Sequence, residues 1–246
     1  MNIRLLIEYD GAPYCGWQRQ LNGPTIQAIL EDKLSEVTGK KTTVYGASRT
    51  DSGVHARGQV ACFDTEYPLP PERWQRLLNF HLPYDIRILE SREVPLGWSP
   101  QKLAVAKEYE YVICNRPMAS ALQKRCYFVP QKIHWGRVRE ALPQFLGTHD
   151  FRAFQGAKAE VISTVRTIHR LDLLEQGDGF YALRIVGDGF LKQMVRAVAG
   201  TLVEIGLGKR DIGDVERIVR SLDRDEAGHT APAAGLTLLR VYYPGE

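Results

Sequence analysis

The 246-residue chain is predicted to be an α+β protein made of two ferredoxin-like-derived halves, each with a mostly antiparallel sheet and helices on one face. Three observations predict it. Residues 1–102 alternate strand and helix patterns in the order β-α-β-β-α-β, the split arrangement of an antiparallel sheet. Residues 103–246 again mix antiparallel strands with helices, after a connection at 95–103 that holds Pro95, Gly97 and Pro100. Hydrophobic residues make up 44% and charged residues 25%, a composition able to bury a core.

Each element has a local cause. Apolar residues in Ile3-Arg4-Leu5-Leu6-Ile7-Glu8-Tyr9 give a first strand, which Asp10-Gly11-Ala12-Pro13 breaks. After Pro24-Thr25, residues Ile26, Ile29, Leu30, Leu34 and Val37 recur at helical spacing, and Gly39 closes the helix. Thr42–Ala47 and Gln59–Asp64 read as strands on either side of a polar loop, Pro70-Pro71-Glu72 opens a helix through Phe80, and Asp85–Glu93 is a strand. In the second half a long strand is expected over Ala104–Asn115, a short one near Arg125–Val129, and a helix over His134–Phe145. Strands Val165–Leu174 and Phe180–Val186 are joined by a turn at Gln176-Gly177-Asp178-Gly179. Helices over Gly189–Ile205 and Ile212–Leu222 and a strand over Leu236–Tyr243 complete the chain, with no repeat or low-complexity segment.

Several classes are excluded by pattern. No run approaches ~18 apolar residues, so no membrane span is expected. The N-terminus reads as a strand and not as a signal peptide, because its apolar run is short and ends in acid. Cys15, Cys62, Cys114 and Cys126 form no CxxC pair, and the six histidines form no HxxxH, so reduced thiols and no metal are expected. Gly206-Leu207-Gly208-Lys209-Arg210 fails as a phosphate loop: residue 203 is Val, and Arg210 stands where Ser or Thr is required. The net charge is +3 and all of it lies in residues 103–246, which permits an RNA partner without demanding one.

The polar loop Gly46–Gln59 carries Asp51 with Arg49, His55 and Arg57 close by in sequence. Pattern leaves two readings open: a carboxylate presented for chemistry on a rigid sheet, or a solvated turn whose Asp caps backbone amides. Lys107, Tyr109 and Tyr111 share one face of the 104–115 strand, as a substrate surface or as packing residues. On the 189–205 helix, Phe190, Met194, Val198, Leu202 and Ile205 form one face and Arg196 lies nearly opposite, near Lys192, Gln193 and Gly200.

Arg49-Thr50-Asp51-Ser52-Gly53-Val54-His55-Ala56 resembles the RTDxGVHA signature of TruA-type tRNA pseudouridine synthases. Tyr9-Asp10-Gly11 with Gly16-Trp17-Gln18-Arg19-Gln20, Lys107-Glu108-Tyr109-Glu110-Tyr111, Thr148-His149-Asp150-Phe151 with Phe154, Phe190-Leu191 with Met194-Val195-Arg196 and Gly200-Thr201-Leu202, and Thr230-Ala231-Pro232 with Gly235-Leu236 are similar to that family's other segments, in its order. Ser48 and Ser52 depart from the family's usual Gly and Ala, and Ala233-Ala234 from a more usual Pro-containing stretch.

The resemblance implies a cytoplasmic homodimer that isomerises uridine to pseudouridine at positions 38, 39 and 40 of the tRNA anticodon stem-loop, with no metal and no cofactor. It implies an active-site cleft between the two halves. It implies that Asp51 is the catalytic carboxylate, that Tyr109 faces the substrate while Tyr111 packs, and that Arg196 partners the carboxylate. Arg49 and Arg57 are then candidates for the phosphates that flank the target, and His55 for a structural hydrogen bond. Two rivals are a non-catalytic RNA-binding module of ferredoxin-like fold, whose aromatic RNP1 pattern is missing from Gln59–Asp64, and a small-molecule hydrolase using Asp51 and His55.

Overall fold

A computed structural model describes residues 1–157 and 161–245. In chain order the elements are β1 (Asn2–Tyr9), α1 (Ile26–Thr38), β2 (Tyr45–Gly46), β3 (His55–Asp64), α2 (Trp74–His81), β4 (Ile86–Val94), β5 (Ala106–Cys114), β6 (Tyr127–Phe128), α3 (Trp135–Ala141), β7 (Gly147–Asp150), β8 (Val165–Gly177), β9 (Phe180–Gly187), α4 (Met194–Gly206), α5 (Asp214–Ser221) and β10 (Leu236–Tyr242). Two compact units result: Met1–Val105 with Thr237–Glu246, and Ala106–Leu236. Both are mixed α/β with mostly antiparallel pairing.

In the first unit β1 lies between β4 and β3 and is antiparallel to both. The other edge of β3 is shared. β2 pairs antiparallel with it at Ala61 and Cys62, and β10 pairs parallel with it at His55 and Ala56. The order β4-β1-β3-β2 follows from the predicted β-α-β-β-α-β succession. Ile3, Leu5, Ile7 and Phe63 bury one face of this sheet with Ile26, Leu30 and Leu34 of α1 and Trp74 and Leu78 of α2. Phe63 and Trp74 meet edge to face at 5.0 Å.

The caps of α1 are as expected: Thr25 Oγ1 accepts from Ala28 N, and Gly39 at φ 69° donates its N–H to Ser35 O. Several elements differ from the sequence reading, among them β3, which begins at His55 and not at Gln59 because His55 and Ala56 already pair with β10. β2 is only two residues long, because the 42–44 stretch bonds to α1 instead of to a strand: Thr42 N to Ser35 Oγ, Val44 N to Glu31 Oε1, and Gln27 Nε2 to Val44 O. The helix expected from Pro70 begins as a 3-10 turn over Pro71–Arg73 and becomes α-helical at Trp74. The last strand, assigned by sequence order to the half spanning 103–246, returns to pair with β3.

The second unit carries the order β5-β9-β8-β7, antiparallel throughout, and β6 pairs parallel with β5 at Ile113 and Cys114. The β8–β9 hairpin turns on Asp178 and Gly179, at φ 49° and 73°, a type I′ pair whose twist matches the strands. β7 was not expected from sequence; four residues of mixed polarity carry no period. α4 starts at Met194 and not at Gly189, because Gln193 adopts φ 60°, outside the helical region. Residues 188–193 form a loop pinned to β8 by Asp188, whose Oδ1 accepts from Thr167 N and whose N donates to Thr167 O.

Gly58 marks a close approach of β10 to β3: a Cβ there would lie 2.2 Å from Leu239 O. Gly58→Ala is therefore expected to destabilise the protein by about 1–3 kcal/mol through overpacking. Urea unfolding with unchanged m-value reads this directly; an unaltered midpoint would mean that β10 is free to move away.

Candidate active site

The loop that carries Asp51 leaves the edge of β3 and returns to it, and its backbone needs partners where β2 has ended. Ala47 N donates to Val60 O, the last ladder bond. Beyond it the fully buried side chain of Gln59 takes the place of a strand: Nε2 donates to Ser48 O at 2.7 Å, and Oε1 accepts from Ser48 N at 3.2 Å. A primary amide has the same donor and acceptor as a peptide group, so it can satisfy both. Thr50 is held next, its Oγ1 2.7 Å from Tyr9 Oη and its carbonyl accepting from Trp17 N.

At its tip the loop turns through Asp51–Val54, with Val54 N donating to Asp51 O and Gly53 at φ 78°. Gly53 N and Ser52 Oγ both donate to Tyr14 O. The 10–17 segment thus forms a bed for the loop, and two glycines let the backbones touch. A Cβ on Gly16 would lie 2.6 Å from Thr50 O, and one on Gly11 would lie 1.9 Å from Val54 O. His55 is buried with Nδ1 3.1 Å from Gly11 N and 2.9 Å from Asp10 Oδ1. Nδ1 accepts the Gly11 N–H in one tautomer and donates to Asp10 when protonated, and either bond ties the two loops together.

Asp51 is half-buried on this frame, and Arg49 and Arg57 on either side of it are exposed. Neither arginine makes an ion pair among the described residues. Tyr109 and Arg196 belong to the second unit. Tyr109 is buried on β5, edge to face with Phe190 at 5.3 Å and 87°. Tyr111 on the same face has no exposure, and its hydroxyl donates to Pro232 O at 2.8 Å; burial raises its pKa and keeps that proton in place. Lys107, on the same face again, has its pKa pulled down to about 8 by burial, with the Arg166 charge adding to the effect.

Arg196 sits on a helix that is covered nearly all round; in α4 only Arg196 and Glu204 are not buried. The side that periodicity marked as polar is occupied by the chain itself. Arg196 Nε donates to Ala231 O, Ala231 N returns a bond to Arg196 O, and a Cβ on Gly200 would lie 1.9 Å from His229 O. The small residues near Arg196 thus admit the 228–231 backbone. Of the residues that hold the Asp51 loop, sequence reasoning missed Gln59, whose only signal is one carboxamide in the apolar run Val60-Ala61-Cys62-Phe63. Among the described residues no group of three or more His, Cys, Asp or Glu side chains could hold a metal ion, and no helix is long and apolar enough to cross a membrane.

Comparison with known proteins gives this arrangement a family. The family described as tRNA pseudouridine synthase matches residues 5–101 and 141–244, segments drawn from both units. The chain belongs to the tRNA pseudouridine synthase family. It is 44% identical over 245 residues to a tRNA pseudouridine synthase A of Geobacter sp. (strain M21), covering 99% of each chain. To the protein of the same name from Acetivibrio thermocellus it is 45% identical over 243 residues, covering 98% of this chain and 99% of that one. In this member of the tRNA pseudouridine synthase family, the Tyr9–Gly11 and Gly16–Trp17 segments act as the bed of the Asp51 loop.

Two outcomes follow for this scaffold. Gln59→Leu leaves the buried N–H and C=O of Ser48 without their partner and should cost roughly 2–4 kcal/mol in chemical denaturation; a loss below about 0.5 kcal/mol would show that water replaces the amide. For Lys107, a base whose folded pKa is depressed, the folded state binds fewer protons than the unfolded state between about pH 8 and the ordinary 10.5. Its contribution therefore rises with pH across that window and is unfavourable below it. An NMR titration of isotopically dimethylated Lys107 should show a midpoint near 8, and a midpoint near 10.5 would remove the effect.

Proposed function

We infer that this protein is an isomerase that converts uridine to pseudouridine in tRNA. The observation that carries the reading is identity of 44–45% along essentially the whole chain to synthases of that name. The rival reading of a non-catalytic RNA module is set aside by that full-length match.

We propose further that Asp51 is the catalytic carboxylate and that the target lies in the anticodon stem-loop, at positions 38, 39 and 40. Tyr109, Arg49 and Arg196 are the proposed substrate-binding residues. The reaction breaks the N1–C1′ bond, turns the uracil over and joins C5 to C1′; C5 loses a proton, N1 gains one, and nothing is oxidised. Positive charge develops at C1′ as the glycosidic bond loosens, and an ionised Asp51 beside the ribose meets that need by stabilising the charge, by bonding to C1′ or by taking a C2′ proton. The hydrogen-bonded bed beneath the loop supports this reading, since a carboxylate must be held within a fraction of an ångström to act on one carbon.

While the uracil is detached it must be held and water kept away, or hydrolysis would leave an abasic site. Tyr109 is the proposed stacking surface for that base, and Arg196 the cation that keeps the carboxylate ionised. Arg49, exposed two residues before Asp51, suits a phosphate beside the target nucleotide. A homodimer acting in the cytoplasm without metal or cofactor completes the proposal.

Tritium release from tRNA labelled at uracil C5 tests the assignment, because only substitution at C5 frees the label. The unmodified protein should release it without added metal. Asp51→Asn should lose turnover by roughly 10³-fold or more while still binding tRNA; normal turnover in that variant would remove Asp51 from the chemistry.

A further inference from the structure

The last turn of α2 and the turn that joins it to β4 display two aromatic rings to solvent, Phe80 at 85% exposure and Tyr84 at 96%. This turn is not a slack loop. Asn79 closes its base with two bonds to Ile88, Nδ2 to the carbonyl and Oδ1 from the amide, each 2.8 Å. Arg87 Nη1 donates to the Pro83 and Ile86 carbonyls, both at 2.7 Å, and the guanidinium lies 5.0 Å from the Tyr84 ring centroid. One face of Tyr84 is therefore backed by a cation, and the ring is held outward on a braced turn.

The same turn is tied to the bed of the Asp51 loop. Tyr14, whose carbonyl accepts from Gly53 and Ser52, donates its hydroxyl to Asp85 Oδ1 at 2.6 Å, and Asp10 N donates to Asp85 O. The Asp85 carboxylate is thereby engaged by Tyr14. Arg76, one helical turn before Phe80, is exposed and makes no ion pair among the described residues. Exposed rings flanked by arginines and placed beside the loop suit a polyanion with π-faces better than an apolar protein surface.

We propose that Tyr84, backed by Arg87, is a stacking platform for an unstacked tRNA base near the target uridine. This rests on the tRNA reading given above. Stacking there grips the loop nucleotides in the ground state and the transition state alike, so its loss falls on KM and not on kcat.

The test is tritium release by the full protein with C5-labelled tRNA, beside tRNA affinity from fluorescence anisotropy. Tyr84→Ala should raise KM and Kd by roughly 5- to 50-fold, and Tyr84→Phe, which keeps the ring, should restore both. A scan of abasic nucleotides through the stem-loop should find one at which Tyr84→Ala no longer costs affinity. Wild-type activity with an unaltered KM in Tyr84→Ala would overturn the platform while leaving the function intact, whereas an inactive wild type would sink the tRNA reading itself. If Tyr84→Ala instead changed the sedimentation of the protein with KM unmoved, the patch would be a contact between copies and the proposal would fail.

Discussion

The peptide group of Ser48 is buried at a place where no strand reaches it, and the carboxamide of Gln59 supplies the missing donor and acceptor. A buried amide left unpaired costs on the order of 1–3 kcal/mol, so Gln59 is what keeps the chain close to β3 after Ala47. The path of the next residues depends on that constraint. Once Ser48 is fixed, Thr50 meets Tyr9 and Trp17, and the Asp51 turn comes down on Tyr14. The loop that carries Asp51, the proposed catalytic carboxylate, is thus hydrogen-bonded along most of its length.

Close approach between backbones is the second device, and it recurs in both units. Gly11 and Gly16 admit the Asp51 loop, Gly58 admits β10, and Gly200 admits the 228–231 segment along α4. At each of these places any side chain would collide with a carbonyl. The 228–231 segment in turn grips Arg196 through a reciprocal pair of bonds with Ala231, which orders a long side chain of high rotamer freedom. Tyr111 contributes in the same region, its buried hydroxyl anchoring Pro232. Rigidity of this kind suits a reaction in which a base is freed and must be rejoined at a different atom before water intervenes.

Much of the fold could be read from local chemistry. The Thr25 cap, the Gly39 terminator, the Asp178-Gly179 turn and the apolar repeats of β1, α1 and β9 depend on near neighbours, so sequence spacing alone reports them. The short β2 could not be read, because residues 42–44 chose side chains of α1 over a strand partner. The start of α4 was placed too early, since Phe190 and Leu191 continue an apolar period that Gln193 then interrupts with a left-handed backbone.

Sequence by itself determined the protein's family, the order of every element but the short β7, and the loop on which Asp51 stands, since motif residues and hydrophobic periods are written in order along the chain. It also determined that the first half would form a split β-α-β sheet. Tertiary structure alone decided that Gln59 is a surrogate strand, that the polar side of α4 is covered by the protein's own 228–231 segment, and that β10 rejoins β3. Each of those is a contact between residues far apart in the chain, and a hydrogen bond or a close approach between backbones leaves no periodic trace in the letters that make it.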